Sequence, residues 1–110
     1  MNYDPKALLP KLEAATADLP YLFRHRAMFG GFGVYANDKM TATLSNVGIG
    51  FKLSPSDHAE LLRQGGVGLA YEPGQPPSKS YALVPADWHE DAAKLREWAE
   101  RSAKFVTGGT

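Results

Sequence analysis

The run Met28-Phe29-Gly30-Gly31-Phe32-Gly33-Val34-Tyr35 limits the possible folds more than any other part of the chain. Glycine takes backbone angles closed to other residues and lets a second backbone or a ligand come close. Inside a strand it marks a bulge or a sharp bend. The sequence on both sides alternates with the period of a strand. Phe23, His25, Ala27 and Phe29 fall on one face, Arg24, Arg26 and Met28 on the other, and Phe32 to Tyr35 resume the pattern. The run is therefore expected to be the kinked entry into an antiparallel sheet, with Gly31 and Gly33 at positive φ. Met28, Phe29, Gly30, Gly31, Phe32 and Gly33 supply no nucleophile, no metal-ligand set and no acid–base pair, so their expected role is structural.

Turn-forming Asn37-Asp38 follows the bend. Met40, Ala42 and Leu44 then alternate with Thr41 and Thr43, and after Ser45-Asn46 the residues Val47, Ile49, Phe51 and Leu53 alternate with Gly48, Gly50 and Lys52. Three or four strands joined by tight turns make a meander. Upstream, Asp4-Pro5 is a helix start, and Leu8, Leu12, Ala15 and Leu19 recur at helical spacing. Pro10 interrupts that stripe and is expected to delay the helix, because an interior proline costs about 3 kcal/mol. Leu19-Pro20 is expected to end it.

Ser54-Pro55 opens a second helix that Gly65-Gly66 stops. Val67, Leu69 and Tyr71 mark a further strand, and Tyr81 with Leu83 another, with a proline-rich loop at 73–78 between them. The closing helix carries the stripe Ala92, Leu95, Trp98, Ala99 and Ala103. Glu90 and Asp91 stand at its start, and Glu90–Lys94, Glu97–Arg101 and Glu100–Lys104 are spaced as ion pairs. Helices at both ends and one in the middle, without a βαβ repeat, indicate an α+β fold of two layers on an antiparallel sheet of five or six strands. Residues 1–110 are expected to form one domain, with 105–110 as a frayed tail.

Composition narrows the function classes. Twelve basic residues balance twelve acidic ones, so no net field draws the chain to nucleic acid or an anionic membrane. The chain has no cysteine, which excludes disulfides and thiol chemistry and fits the cytoplasm. No apolar run approaches the roughly 20 residues of a membrane span, and the N-terminus lacks a signal-peptide pattern. The glycine run leads into a strand rather than a helix, which removes the helix N-terminus that a phosphate cradle requires. His25, His58 and His89 are far apart and have no zinc-ligand spacing. Asp57, Glu60, Glu90 and Asp91 sit at helix starts, where acids offset the dipole without doing chemistry. No catalytic residue, cofactor or metal is expected.

Two surface features remain. Arg24, Arg26, Lys52 and Lys79 interleave with Tyr21, Phe23 and Tyr81, but too few cations cluster there for tight intrinsic nucleic-acid binding. Opposite the large residues of the central strands stand Thr41, Thr43, Gly48, Gly50, Gly68 and Ala70. Such a small-residue face suits either solvent or another layer of protein, including a second copy in a homodimer.

The glycine run resembles the Met-Phe-Gly-Gly-aromatic-Gly hallmark of the TfoX/Sxy N-terminal-domain family. Phe51-Lys52-Leu53 before a helix, Tyr81-Ala82-Leu83-Val84-Pro85 and the closing Leu95-Arg96-Glu97-Trp98-Ala99 helix extend the resemblance from Leu12 to Ala103. It implies a two-layer α+β fold and a role in regulating natural competence, through transcription and commonly through a partner regulator. The longer competence regulators add a C-terminal helical domain that this sequence lacks, and the family offers no catalytic residues to carry over. The leading expectation is a non-enzymatic regulatory interaction module that binds a protein partner through the glycine bend or through the sheet face, with Arg24, Arg26, Thr41, Thr43, Gly48, Gly50 and Lys52 as its surface. The alternative is a small-molecule-binding protein or unrecognised enzyme with a pocket near Phe29, Phe32 and the 73–78 loop.

Overall fold

The computed structural model describes residues 2–28 and 30–108. Phe29 of the glycine run and the last two residues of the expected tail lie outside them. Among the described residues the order is α1 (Pro5–Thr16), β1 (Phe23–Met28), β2 (Gly31–Ala36), β3 (Lys39–Ser45), β4 (Gly48–Lys52), α2 (Pro55–Arg63), β5 (Val67–Gly68), β6 (Tyr81–Leu83), a 3-10 turn (Ala86–Glu90) and α3 (Ala92–Val106). The strands form one antiparallel sheet in the order β1-β2-β3-β4-β6-β5. The fold is the expected α+β, and the meander covers its first four strands. Among the described residues no helix is long and apolar enough to cross a membrane.

Two-residue turns set the meander. Asn37 and Asp38 both have positive φ, 48° and 70°, the backbone of the hairpin turn whose twist matches its strands. Between β1 and β2 the positive φ falls on Gly30, at 77°, and not on Gly31 or Gly33 as the sequence suggested. Gly31 is required for a different reason: a β-carbon there would stand 2.0 Å from the Leu44 carbonyl oxygen. A β-carbon on Gly33 would meet only the ends of Met28 and Met40.

All three helices lie on one face of the sheet. Leu8 and Leu12 of α1, Leu61 of α2, and Leu95, Trp98 and Ala99 of α3 bury themselves against Val34, Ala42, Leu44, Ile49, Phe51 and Ala82. Arg101 ties α3 to α2 through Asp57 at 2.9 Å and stacks over Trp98. Of the three expected helix pairs, Glu97–Arg101 forms. Glu90 instead pairs with Lys11 of α1, and Glu100 lies nearer Arg96. α1 starts at Pro5, capped by Asp4, and carries Pro10 within it. The expected delay does not occur, since the cap and the burial of Leu8 and Leu12 hold the first turns in place. The helix ends at Thr16, earlier than Leu19-Pro20, and the Thr16 hydroxyl donates back to the Leu12 carbonyl at 2.9 Å. α3 continues through Phe105 and Val106, into the stretch expected to be tail.

One bulge corrects the reading of β3. Tyr35 pairs with Met40 and Val34 with Ala42, so Thr41 is an extra residue in β3. A bulge resets the alternation of its strand. Thr41 turns into the helix layer with Ala42, where its hydroxyl meets that of Ser102. Met40, expected in the core with Leu44, moves to the opposite face beside Thr43.

Candidate functional site

The sheet face away from the helices is where the sequence-derived candidates gather. Register places Arg26, Gly33, Thr43, Gly50 and Leu83 in one row across five strands. Arg24 and Tyr35 pair in the row to one side, as do Lys52 and Tyr81 further along. Gly48 pairs with Ser45, but at φ 121° the place of its missing side chain faces His89 and Tyr3 of the helix layer. Five of the seven candidates therefore share this face; Gly48 does not, and Thr41 does not, because the bulge carries it into the core.

The face is not the flat, bare surface that its small residues suggested. Met28 and Met40 reach across Gly33, and Leu83 and the Thr43 hydroxyl crowd the space above Gly50. The glycines act as floor on which longer neighbours lie down. Between these neighbours runs a groove of about 400 Å³, lined by Met28, Met40, Thr43, Leu69, Tyr71 and Tyr81 among others. Tyr71 is exposed, while Met28, Met40 and Tyr81 are half-buried. Burial, with smaller effects from the Tyr35 and Tyr71 phenols, pushes the Tyr81 phenol above its ordinary pKa. It stays an uncharged donor. The Thr43 hydroxyl is buried and has no hydrogen-bond partner among the described residues.

Leu69, Tyr71 and Met40 were not among the candidates. Leu69 and Tyr71 were legible as strand residues, and Leu69 does bond to Tyr81 through its backbone at 3.0 Å. Their side could be assigned only once β6 was known to lie between β4 and β5. Met40 was hidden by the bulge.

The remaining motif residues divide between the layers. Phe32 points to the helix side, edge-on to His25 with ring centres 5.6 Å apart. A second cavity of about 530 Å³ lies between the start of α1 and the bend, lined by Asp4, Pro5, Lys6, Met28, Gly30 and Gly31 among others. Pro77 and Ser78 of the proline-rich loop lie against Gly68, and His58 Nε2 donates to the Ser78 carbonyl at 3.0 Å. The three histidines serve separate places: His25 beside Glu13, His58 under the loop, and His89 buried edge-on to Tyr3. Burial holds the His89 imidazole below its ordinary pKa. Among the described residues no three His, Cys, Asp or Glu side chains gather as metal ligands.

Among curated proteins no sequence matches this chain. The sequence profile of the TfoX N-terminal domain matches residues 19–106, from within the α1–β1 connection to the last residue of α3. With four-fifths of its 110 residues matched, the chain belongs to the TfoX N-terminal domain family.

Proposed function

We propose that the protein is a non-enzymatic regulatory module that acts on transcription through a protein partner held on the helix-free sheet face. Family membership makes it a competence-regulator-like domain. The observation that carries the reading is the apolar groove of Met28, Met40, Leu69, Tyr71 and Tyr81, open on the side that no helix covers. Apolar surface of this kind, rimmed by polar groups, marks interaction sites, and aromatic and methionine side chains are enriched in them.

Charge selects the class of partner. Arg24, Arg26 and Lys52 share the groove's face of the sheet, so an apolar surface edged with acids is complementary to it. A second copy of the chain is the competing occupant, and it would set arginine against arginine. A photo-crosslinking residue placed in turn at Met40, Tyr71 and, on the helix layer, Lys104 tests this in the cell that makes the protein. Adducts with one other protein from Met40 and Tyr71 but not from Lys104 support the reading. Adducts of twice the chain's mass assign the face to self-association, and equal labelling from all three positions removes the face from the account.

A further inference from the structure

One edge of the sheet is open along a full strand. β1 pairs with β2 from Phe23 opposite Ala36 to Met28 opposite Gly31, and it is the last strand on its side. The Asn37 N–H donates to the Leu22 carbonyl at 2.9 Å. Antiparallel ladders alternate inward-bonding and outward-bonding residues. Arg24, Arg26 and Met28 therefore bond to β2, and the backbone N–H and C=O groups of Phe23, His25 and Ala27 face away from the sheet. The middle four residues of the strand are exposed. The opposite edge, β5, is two residues long.

Alongside this edge, α1 leaves a groove of about 250 Å³. Leu9, Leu12, Tyr21 and Phe23 give it apolar walls, with Glu13, His25 and the Arg24 segment of β1 at its rim. The other side of the strand is basic: residues 21–28 hold Arg24 and Arg26 and no acid. Arg24 reaches Asp38 only at 3.9 Å, with both side chains largely exposed. Arg26 takes part in no ion pair among the described residues.

We propose that the free edge of β1 receives an extended acidic segment of another protein as an added strand. Strand addition takes its affinity from main-chain hydrogen bonds and its specificity from pockets for alternate side chains. Here one set of alternate side chains enters the α1 groove and is apolar, and the other set lies over Arg24 and Arg26 and is acidic. The segment thus alternates apolar and acidic residues over the six-residue length of β1. Charged side chains on an edge guard it against indiscriminate pairing. A second copy added antiparallel brings arginines together on one face, where like charges repel. Tyr35 lies beside Arg24 on the same face, but two arginines are too few cations for tight nucleic-acid binding, and the test separates that occupant. This site shares Arg24 and Arg26 with the helix-free face, but its main-chain bonds come from the β1 edge and its apolar pocket from α1, so it is tested apart from the Met40 and Tyr71 groove.

The test uses the full chain, labelled for NMR, and two blocked hexapeptides: alternating valine and glutamate, and alternating valine and lysine. The glutamate peptide is expected to bind saturably, at least about tenfold tighter than the lysine peptide, as one charge-assisted contact supplies. Shifts should be confined to residues 9–28, with slowed exchange of the Phe23, His25 and Ala27 amides. Arg24→Glu with Arg26→Glu should reverse the preference, and Ala27→Pro, which deletes an outward N–H, should weaken both. Equal binding of the two peptides, shifts centred on Met40 and Tyr71, displacement by oligo-thymidine, or no binding at millimolar peptide would each overturn the proposal. The charge-reversal pair keeps it falsifiable if the proline variant does not fold.

Discussion

Gly31 lies so close to Leu44 that no side chain fits between the strands that carry them: a β-carbon on Gly31 would sit 2.0 Å from the Leu44 carbonyl oxygen and 3.2 Å from the Ser45 α-carbon. Those atoms belong to the backbone of β3 and cannot swing aside. The glycine run thereby brings β2 and β3 together at the point where the helix-free face begins.

Gly31→Ala should accordingly destabilise the fold by about 3 kcal/mol, the upper range for forcing atoms into a packed site. Gly33→Ala should cost less than about 1 kcal/mol, because the Met28 and Met40 methyl groups that it meets can move. Chemical denaturation of both variants beside the parent checks the contrast. Equal costs would mean that the motif's glycines are interchangeable.

The hydroxyls of Thr41 and Ser102 form a buried polar link between β3 and α3, completed by the Thr41 and Lys52 carbonyls at 2.8 and 2.6 Å. Ser102→Ala leaves the Thr41 hydroxyl without that partner and should cost about 1–3 kcal/mol. Thr41→Val should cost a similar amount alone and less in the Ser102→Ala background. A double-mutant cycle by thermal melting measures the coupling, and additive losses would contradict the link.

The bulge at Thr41 also explains where sequence reading stopped. Helix caps at Asp4 and Ser54, the turn at Asn37-Asp38 and the stripe of α3 are local signals, and each reappears in the fold. Strict alternation through β3 then assigned Met40 to the core and Thr41 to the open face, because one extra residue is invisible to a period-two pattern. The face itself was legible from Thr43, Gly50 and Lys52. Its groove was not, since Leu69 and Tyr71 reach it only through the non-sequential placement of β6. The short turn at Ala86–Glu90, which buries Trp88 and His89, has no periodicity to read.

His89 gives a pH dependence. Burial lowers its pKa in the folded protein below the value near 6.5 of the unfolded chain, so the unfolded state takes up the proton first. Its contribution is complete above about pH 6.5 and is lost as the pH falls through that value toward the lower folded pKa. Stability should decline on acidification from about pH 7 to pH 5, and His89→Phe should flatten that decline. Urea midpoints at several pH values decide it, and an unchanged slope in the variant would assign the effect to other groups.

Pro10 is exposed inside α1, where it removes a helical hydrogen bond. Pro10→Ala should raise stability, by less than the roughly 3 kcal/mol separating the two residues in helix interiors, because proline also restricts the unfolded chain. A lower melting temperature would show that the ring makes contacts α1 depends on.

The most direct test of the regulatory reading replaces the chromosomal copy with a Met40→Glu, Tyr71→Glu chain and compares its transcripts with those of the parent and of a deletion. Two acids in the groove should reproduce the deletion's transcript changes while the protein's abundance and melting temperature stay at parental values. Parental transcripts from the variant, beside clear changes in the deletion, would contradict a regulatory role for the helix-free face.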